Sequence, residues 1–287
     1  MNERSKGKCF INGLLPVIMV FILQNALAIF VVELMFVWDA ATFKGSRYSE
    51  FLNGLLEKVQ TQGFNTAVLF VYSVVGVIVF ALWYKKFYKN HFKQTLTLRG
   101  YKPFLYPGII LFALGGQVVC EYLINAIGLM FPQLLADYAE IMEKAGLSET
   151  SMTPILAVYA IILGPICEEL VFRGLCYGYL RSGFSFWVAC TVQALLFGAF
   201  HLNMLQAIYA FCMGFALGFV MEKTGNLIIT ILLHIAFNGS SLLVATLLQL
   251  VPDGAIPTFG VILGSMILVY ISIYMVIRSK PFVERIS

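Results

Sequence analysis

The chain has 287 residues, 60% hydrophobic and only 12% charged, against about 45–50% and about 25% in an average soluble protein. Its net charge of +4 is small and sits in loops that flank apolar runs, which calls for no nucleic-acid partner. The apolar runs themselves exclude a soluble reading of one or two domains.

A membrane span needs about 20 predominantly apolar residues, and eight stretches qualify: 13–37, 65–84, 104–131, 154–180, 185–202, 204–222, 226–249 and 257–277. The expected fold class is all-α: a polytopic membrane protein of about eight transmembrane helices, one integral membrane domain over 1–287. The N-terminus has basic residues, an apolar run and Ala26-Leu27-Ala28, as a secretory signal would. But the run continues to Val37, well past the roughly 7–15 residues of a signal core, so a retained first span is expected. Between spans one and two, Ser49–Gln60 places Phe51, Leu52, Leu55, Leu56 and Val59 at helical spacing. Leu134–Ala145 repeats the pattern after span three. Each predicts a short amphipathic helix on the membrane surface.

The loop from Lys85 to Lys102 holds six Lys/Arg residues, which set topology or meet lipid headgroups. Glu33 in span one, and Glu121 with Asn125 in span three, read as helix–helix contacts. Gly214 and Gly218 in span six have the spacing of close helix packing, expected against span four or seven. The six cysteines form no CxxC pair and read as small buried hydrophobes.

Ionisable groups inside a membrane are costly and mark function. Spans four, five and seven carry them: Glu168, Glu169 and Arg173; His201; His234 and Asn238. On a helix Glu169 and Arg173 share a face and can pair, while Glu168 points about 100° away. An ion pair that only fixes helix packing would explain Glu169 and Arg173 but not Glu168, which is left free for general-base work. Phe197 with His201, and His234 with Asn238, are likewise four apart and co-facial; Gln193 lies on the stripe of Phe197.

Helix rise puts Glu168 about 22 Å and His201 about 27 Å from the turn at Gly183. His234 and Asn238 stand about 14 Å and about 20 Å from the turn at Gly225. All four can meet in one layer. Hydrolysis within the bilayer is the leading expectation. A proton-coupled transporter is the first alternative, but no inverted repeat supports it. A non-catalytic scaffold or immunity factor is the second.

The run Gly164 to Gly174 resembles an EExxxR motif. Phe197 to His201 resembles FxxxH, and Gly214, Gly218, Thr224-Gly225, His234 and Asn238 resemble a glycine-rich span leading to HxxxN. Together and in order they resemble the CPBP family: type II CAAX prenyl endopeptidases and the bacterial Abi proteins of bacteriocin processing or self-immunity. The resemblance covers 154–245, the expected catalytic core. It implies an eight-helix intramembrane endopeptidase. Glu168 and His201 would activate water, His234 and Asn238 would stabilise the oxyanion, and Glu169 with Arg173 would hold the site.

The family is commonly described as metalloproteases, and a metal-independent glutamate mechanism is also attached to it. Glu168, His201 and His234 would be the three ligands of a Zn2+ site with one open position, although no HExxH is present. The implied partners are membrane lipid and a membrane-associated peptide or lipidated-peptide substrate. The compact form suggests a bacterial plasma-membrane protein, for which a pheromone, a bacteriocin leader or another membrane peptide suits as well as a prenylated C-terminus. Fourteen Lys/Arg flank the spans on the side shared with the N-terminus and four on the other, which predicts cytoplasmic termini.

Overall fold

A computed structural model describes residues 5–45, 47–89, 93–147 and 151–281. Arg4 and Arg285, which contribute to the charge bias, lie outside them. The described residues form helices: α1 Lys6–Thr42, α2 Tyr48–Val59, α3 Gln62–Tyr88, α4 Leu105–Met130, α5 Pro132–Lys144, α6 Pro154–Arg181, α7 Phe186–Phe200, α8 Met204–Thr224, α9 Leu227–Gly239, α10 Ser241–Leu248 and α11 Ala255–Arg278. The protein is an all-α, polytopic membrane protein.

Local chemistry sets the boundaries. Ser5, Thr61, Thr153, Asn203 and Asn226 each accept a hydrogen bond from a backbone N–H of the first turn they precede, as N-caps do. Gly225 ends α8 at φ +64°, a left-handed conformation that glycine adopts without a Cβ clash. The amphipathic segments form α2 and α5 as expected. Phe51 of α2 is buried against Phe36 and Phe43.

The eight spans are less uniform than the hydropathy pattern predicts. Six helices are long and apolar enough to cross a membrane. The expected seventh span is broken into α9 and α10, bent by 45°. At this break the Phe237 carbonyl accepts from Gln117 Nε2 at 2.9 Å and the Ser240 hydroxyl at 3.0 Å, so the freed backbone is satisfied inside the bundle. The expected fifth span is a helix of 15 residues, about 22 Å long and short of a hydrocarbon core of about 30 Å. It stops because Leu202 turns to φ +55° and Asn203 caps the next helix.

α6 is the centre of the bundle, in contact with α1, α3, α7 and α9. Its residues Leu170–Cys176 are all buried. α11 leans chiefly on α4 and presents most of its surface outward, as a lipid-facing helix can. Gly214 and Gly218 pack against α7 rather than against the fourth or seventh span. A Cβ at Gly218 would stand 2.6 Å from Gln193 Nε2 and 2.8 Å from Cys190 Sγ. The three-residue turn 201–203 forces α7 and α8 into this antiparallel pair, and Gln193 Nε2 donates to the Gly214 carbonyl across it at 2.8 Å.

The basic flanks gather at one end of the bundle. Gly183 abuts Cys9, Asn226 Nδ2 donates to the Thr97 carbonyl at 2.5 Å, and Lys102 N donates to the Ser279 carbonyl at 2.9 Å. Arg181 pairs with Glu222 at 3.0 Å. The opposite end holds α2, α5 and the Lys58–Asp39 pair at 2.6 Å.

Candidate active site

Within α6 the segments Tyr159–Leu163 and Leu170–Cys176 wind more widely, as π-helix, a distortion frequent at functional sites. Between them Glu168 and Glu169 lie on an ordinary helical turn and point different ways. Glu169 is fully buried, and its Oε1 lies 2.8 Å from Nη1 of the equally buried Arg173. The guanidinium carbon also stands 4.2 Å from the centre of the Phe197 ring, a cation–π contact. Phe197 meets the edges of both imidazoles, His201 at 5.0 Å and His234 at 5.9 Å. That packing is what the phenylalanine of the FxxxH pattern supplies.

The same Glu169 oxygen is 2.9 Å from His234 Nδ1. A carboxylate can only accept, so Nδ1 carries the hydrogen, and Nε2 is turned towards Glu168 Oε2 at 3.7 Å. His201 is oriented differently. Its Nδ1 is 2.8 Å from the Phe197 carbonyl, one of the C-terminal carbonyls a helix leaves unpaired. The ring hydrogen is therefore on Nδ1, and Nε2 presents a lone pair. Glu168 keeps a side-chain exposure of 20%. With His201 it lines a cavity of about 220 Å³, room for several water molecules. A carboxylate and an imidazole lone pair on one wet cavity can orient and deprotonate water.

Asn238 does structural work. In the wide turn the Gly164 N–H bonds back five residues to Tyr159. The next such bond would run from residue 165 to Ala160, but Pro165 has no N–H. Asn238 Nδ2 supplies the missing donor to the Ala160 carbonyl at 2.9 Å.

Comparison with known proteins bears on the same residues. The family "Type II CAAX prenyl endopeptidase Rce1-like" matches residues 150–240. A protein of Bacillus subtilis (strain 168) described as "Putative membrane peptidase YdiL" is 27% identical over 95 residues, 33% of this chain and 39% of that relative. The chain thus aligns with well under half the length of this curated relative. No solved structure matches. Over residues 150–240 this chain is therefore similar to CPBP-type membrane peptidases.

The matched region 150–240 contains all six candidate residues, Glu168, Glu169, Arg173, His201, His234 and Asn238. The fold brings Glu168 and His201 into the cavity, Glu169, Arg173 and His234 into a buried ion-paired cluster beside it, and Asn238 onto the wide turn. The CPBP resemblance also implied zinc on Glu168, His201 and His234. Zinc ligands sit at about 2.0–2.2 Å from the ion, and among the described residues no three His, Cys, Asp or Glu side chains group closely enough to hold one. His234 Nδ1 is bound to Glu169, and the ring is not among the residues lining the cavity that His201 shares with Glu168. We expect protein purified with less than about a tenth of an equivalent of zinc to remain active; stoichiometric zinc, with activity lost to a chelator and restored by the ion, would overturn this.

Sequence reasoning missed other residues of the cavity: Gln24 of α1, Tyr72 of α3 and Tyr159 of α6. Gln24 had a signal, being polar in an apolar run. The tyrosines had none, since aromatic residues are common in spans. Glu33 and Asn125 are exposed and lie away from the cavity, and Glu121 is half-buried on α4.

Proposed function

We propose that this protein is an intramembrane endopeptidase that hydrolyses a peptide bond with a water activated by Glu168 and His201. The observation that carries the reading is the shared cavity, which Glu168 and His201 line together, with His201 Nδ1 turned to the Phe197 carbonyl and Nε2 left as the lone-pair nitrogen. In this mechanism His201 accepts one hydrogen bond from the water and Glu168 takes its proton. The new hydroxide oxygen bonds to the scissile carbonyl carbon, and the carbonyl electron pair moves to its oxygen. Collapse breaks the C–N bond, and protonated Glu168 returns its proton to the leaving nitrogen. His234 is held beside Glu168 by Glu169, which Arg173 pairs.

The substrate class follows from depth. Thirteen residues of α6 separate Glu168 from Arg181, about 20 Å of rise from the basic end. In a hydrocarbon core of about 30 Å that lies past the midplane. The positive-inside rule supports cytoplasmic termini in a bacterial plasma membrane, so the cavity is nearer the outer face. A membrane-embedded or exported peptide suits this better than a cytoplasmic prenylated C-terminus.

The test of activity is mass spectrometry of membrane peptides from wild-type and Glu168→Gln cells: fragments present only in the wild type support a peptidase, and identical pools overturn it. Sidedness is tested by thiol labelling in a Cys212→Ser background. Lys86→Cys is expected to resist an impermeant external reagent and Glu57→Cys to react with it. The reverse pattern would restore the cytoplasmic CAAX substrate. Lys86 and Glu57 are both exposed.

A further inference from the structure

The cavity that holds Glu168 and His201 reaches the surface of the bundle. Tyr72, Gly164 and Cys167 are buried walls, whereas Leu202, which lines the same cavity, is 81% exposed. A mouth therefore lies at the turn between α7 and α8. Across it stands α1, whose Phe21 and Gln24 also line the cavity. The Phe21 ring meets the Phe200 ring at an angle of 61°, with centres 5.5 Å apart.

Two features turn this mouth towards lipid. α1 packs on α3 and α6, and its buried residues are Cys9, Gly13, Pro16, Val17 and Val20. No residue of α1 beyond Val20 is buried, so its outer half stands away from the core from the point where Phe21 and Gln24 form the rim. α7 stops at Phe200, and the chain turns back into α8 instead of continuing alongside α1. Leu202 is 16 residues past the start of α7 at Phe186, about 24 Å of rise from the basic end and inside a hydrocarbon core of about 30 Å. Ile22, Leu195 and Met204 are exposed apolar residues on the same elements.

We propose that the substrate is a membrane-embedded peptide that enters sideways from the lipid, between the outer half of α1 and the α7–α8 turn, and docks an apolar stretch on Phe21, Phe200 and Leu202. The proposal rests on the peptidase reading and narrows its substrate from embedded or exported peptides to embedded ones. An apolar stretch gives up little when it exchanges lipid for an apolar rim, since lipid tails are as apolar as leucine. The scissile peptide group then meets water inside the cavity, beside Glu168. A water-soluble peptide would have to carry unpaired backbone groups through hydrocarbon to reach the same mouth.

The experiment uses the full-length protein in liposomes and the peptide whose fragments vanish in Glu168→Gln membranes. Leu202 lies at φ +55°, a conformation that asparagine adopts more readily than leucine. Leu202→Asn is therefore expected to keep the melting temperature while placing an amide on the apolar mouth. It should raise KM about tenfold with kcat within about threefold of wild type. Met204→Asn, at a position 64% exposed but outside the cavity, should leave both constants within about threefold. In the Glu168→Gln background, Leu202→benzoylphenylalanine should photocapture the peptide, whereas Tyr270→benzoylphenylalanine, on the lipid-facing α11 and 72% exposed, should capture lipid. An unaltered KM in Leu202→Asn, or a fall confined to kcat, would overturn lateral entry and leave the peptidase reading standing. So would equal peptide capture from the two positions, or capture of lipid alone at 202. If Leu202→Asn fails to fold, the capture result decides by itself. Peptide pools unchanged by Glu168→Gln would overturn both readings.

Discussion

A Glu168→Gln variant is expected to insert and fold as wild type does and to lose about 10²–10⁴ of its hydrolytic rate, the usual contribution of a general base. Among the described residues Glu168 has no ion-pair partner within hydrogen-bond distance, His234 Nε2 being 3.7 Å away. The substitution keeps size and removes only the proton-accepting charge, so little stability depends on it. Its neighbour gives the control. Glu169→Gln should lower both activity and stability, because that carboxylate anchors Arg173 and His234 together. Activity of Glu168→Gln within a few-fold of wild type, measured on reconstituted protein, would remove Glu168 from the mechanism.

Arg173→Ala is expected to destabilise the protein by about 3–5 kcal/mol, the range for breaking a buried pair by deleting one partner. Both members are fully buried, so the deletion leaves the Glu169 charge without its guanidinium partner, held by His234 and the Thr230 hydroxyl. It also removes the guanidinium from the Phe197 face. Activity should fall with stability, since Phe197 touches both imidazoles. Arg173→Lys should recover part of the stability by restoring charge without the planar contact. The double change Glu169→Leu with Arg173→Met should recover more, because an apolar pair can replace a buried ionic one. It should remain inactive, because His234 has lost its anchor. Thermal denaturation in detergent measures the series, and an Arg173→Ala midpoint equal to wild type would contradict it.

Much of this arrangement is legible in the chain alone, wherever it depends on helical period and hydropathy. The apolar runs determined that the protein is helical and polytopic. The four-residue spacing determined that Glu169 faces Arg173 while Glu168 does not. Helix rise determined that Glu168 and His201 reach similar depth. The alternation of spans predicted which flanks share an end of the bundle, and charge counting added the expectation that this end is cytoplasmic.

What only the tertiary structure decided are the departures from ideal helices and the choice among partners. Hydropathy averages over a window, so it does not register that the fifth span ends at His201 or that the seventh is broken after Gly239. The GxxxG spacing marks a close approach without naming the facing helix, which the short turn 201–203 makes α7. A motif places His234 and Asn238 on one face but does not say what occupies their donors. That is decided by Glu169 arriving from α6 and by Pro165, whose missing N–H leaves a carbonyl for Asn238 to satisfy. Tyr159 lines the cavity at the start of a wide turn, which a constant period of 3.6 residues cannot foresee.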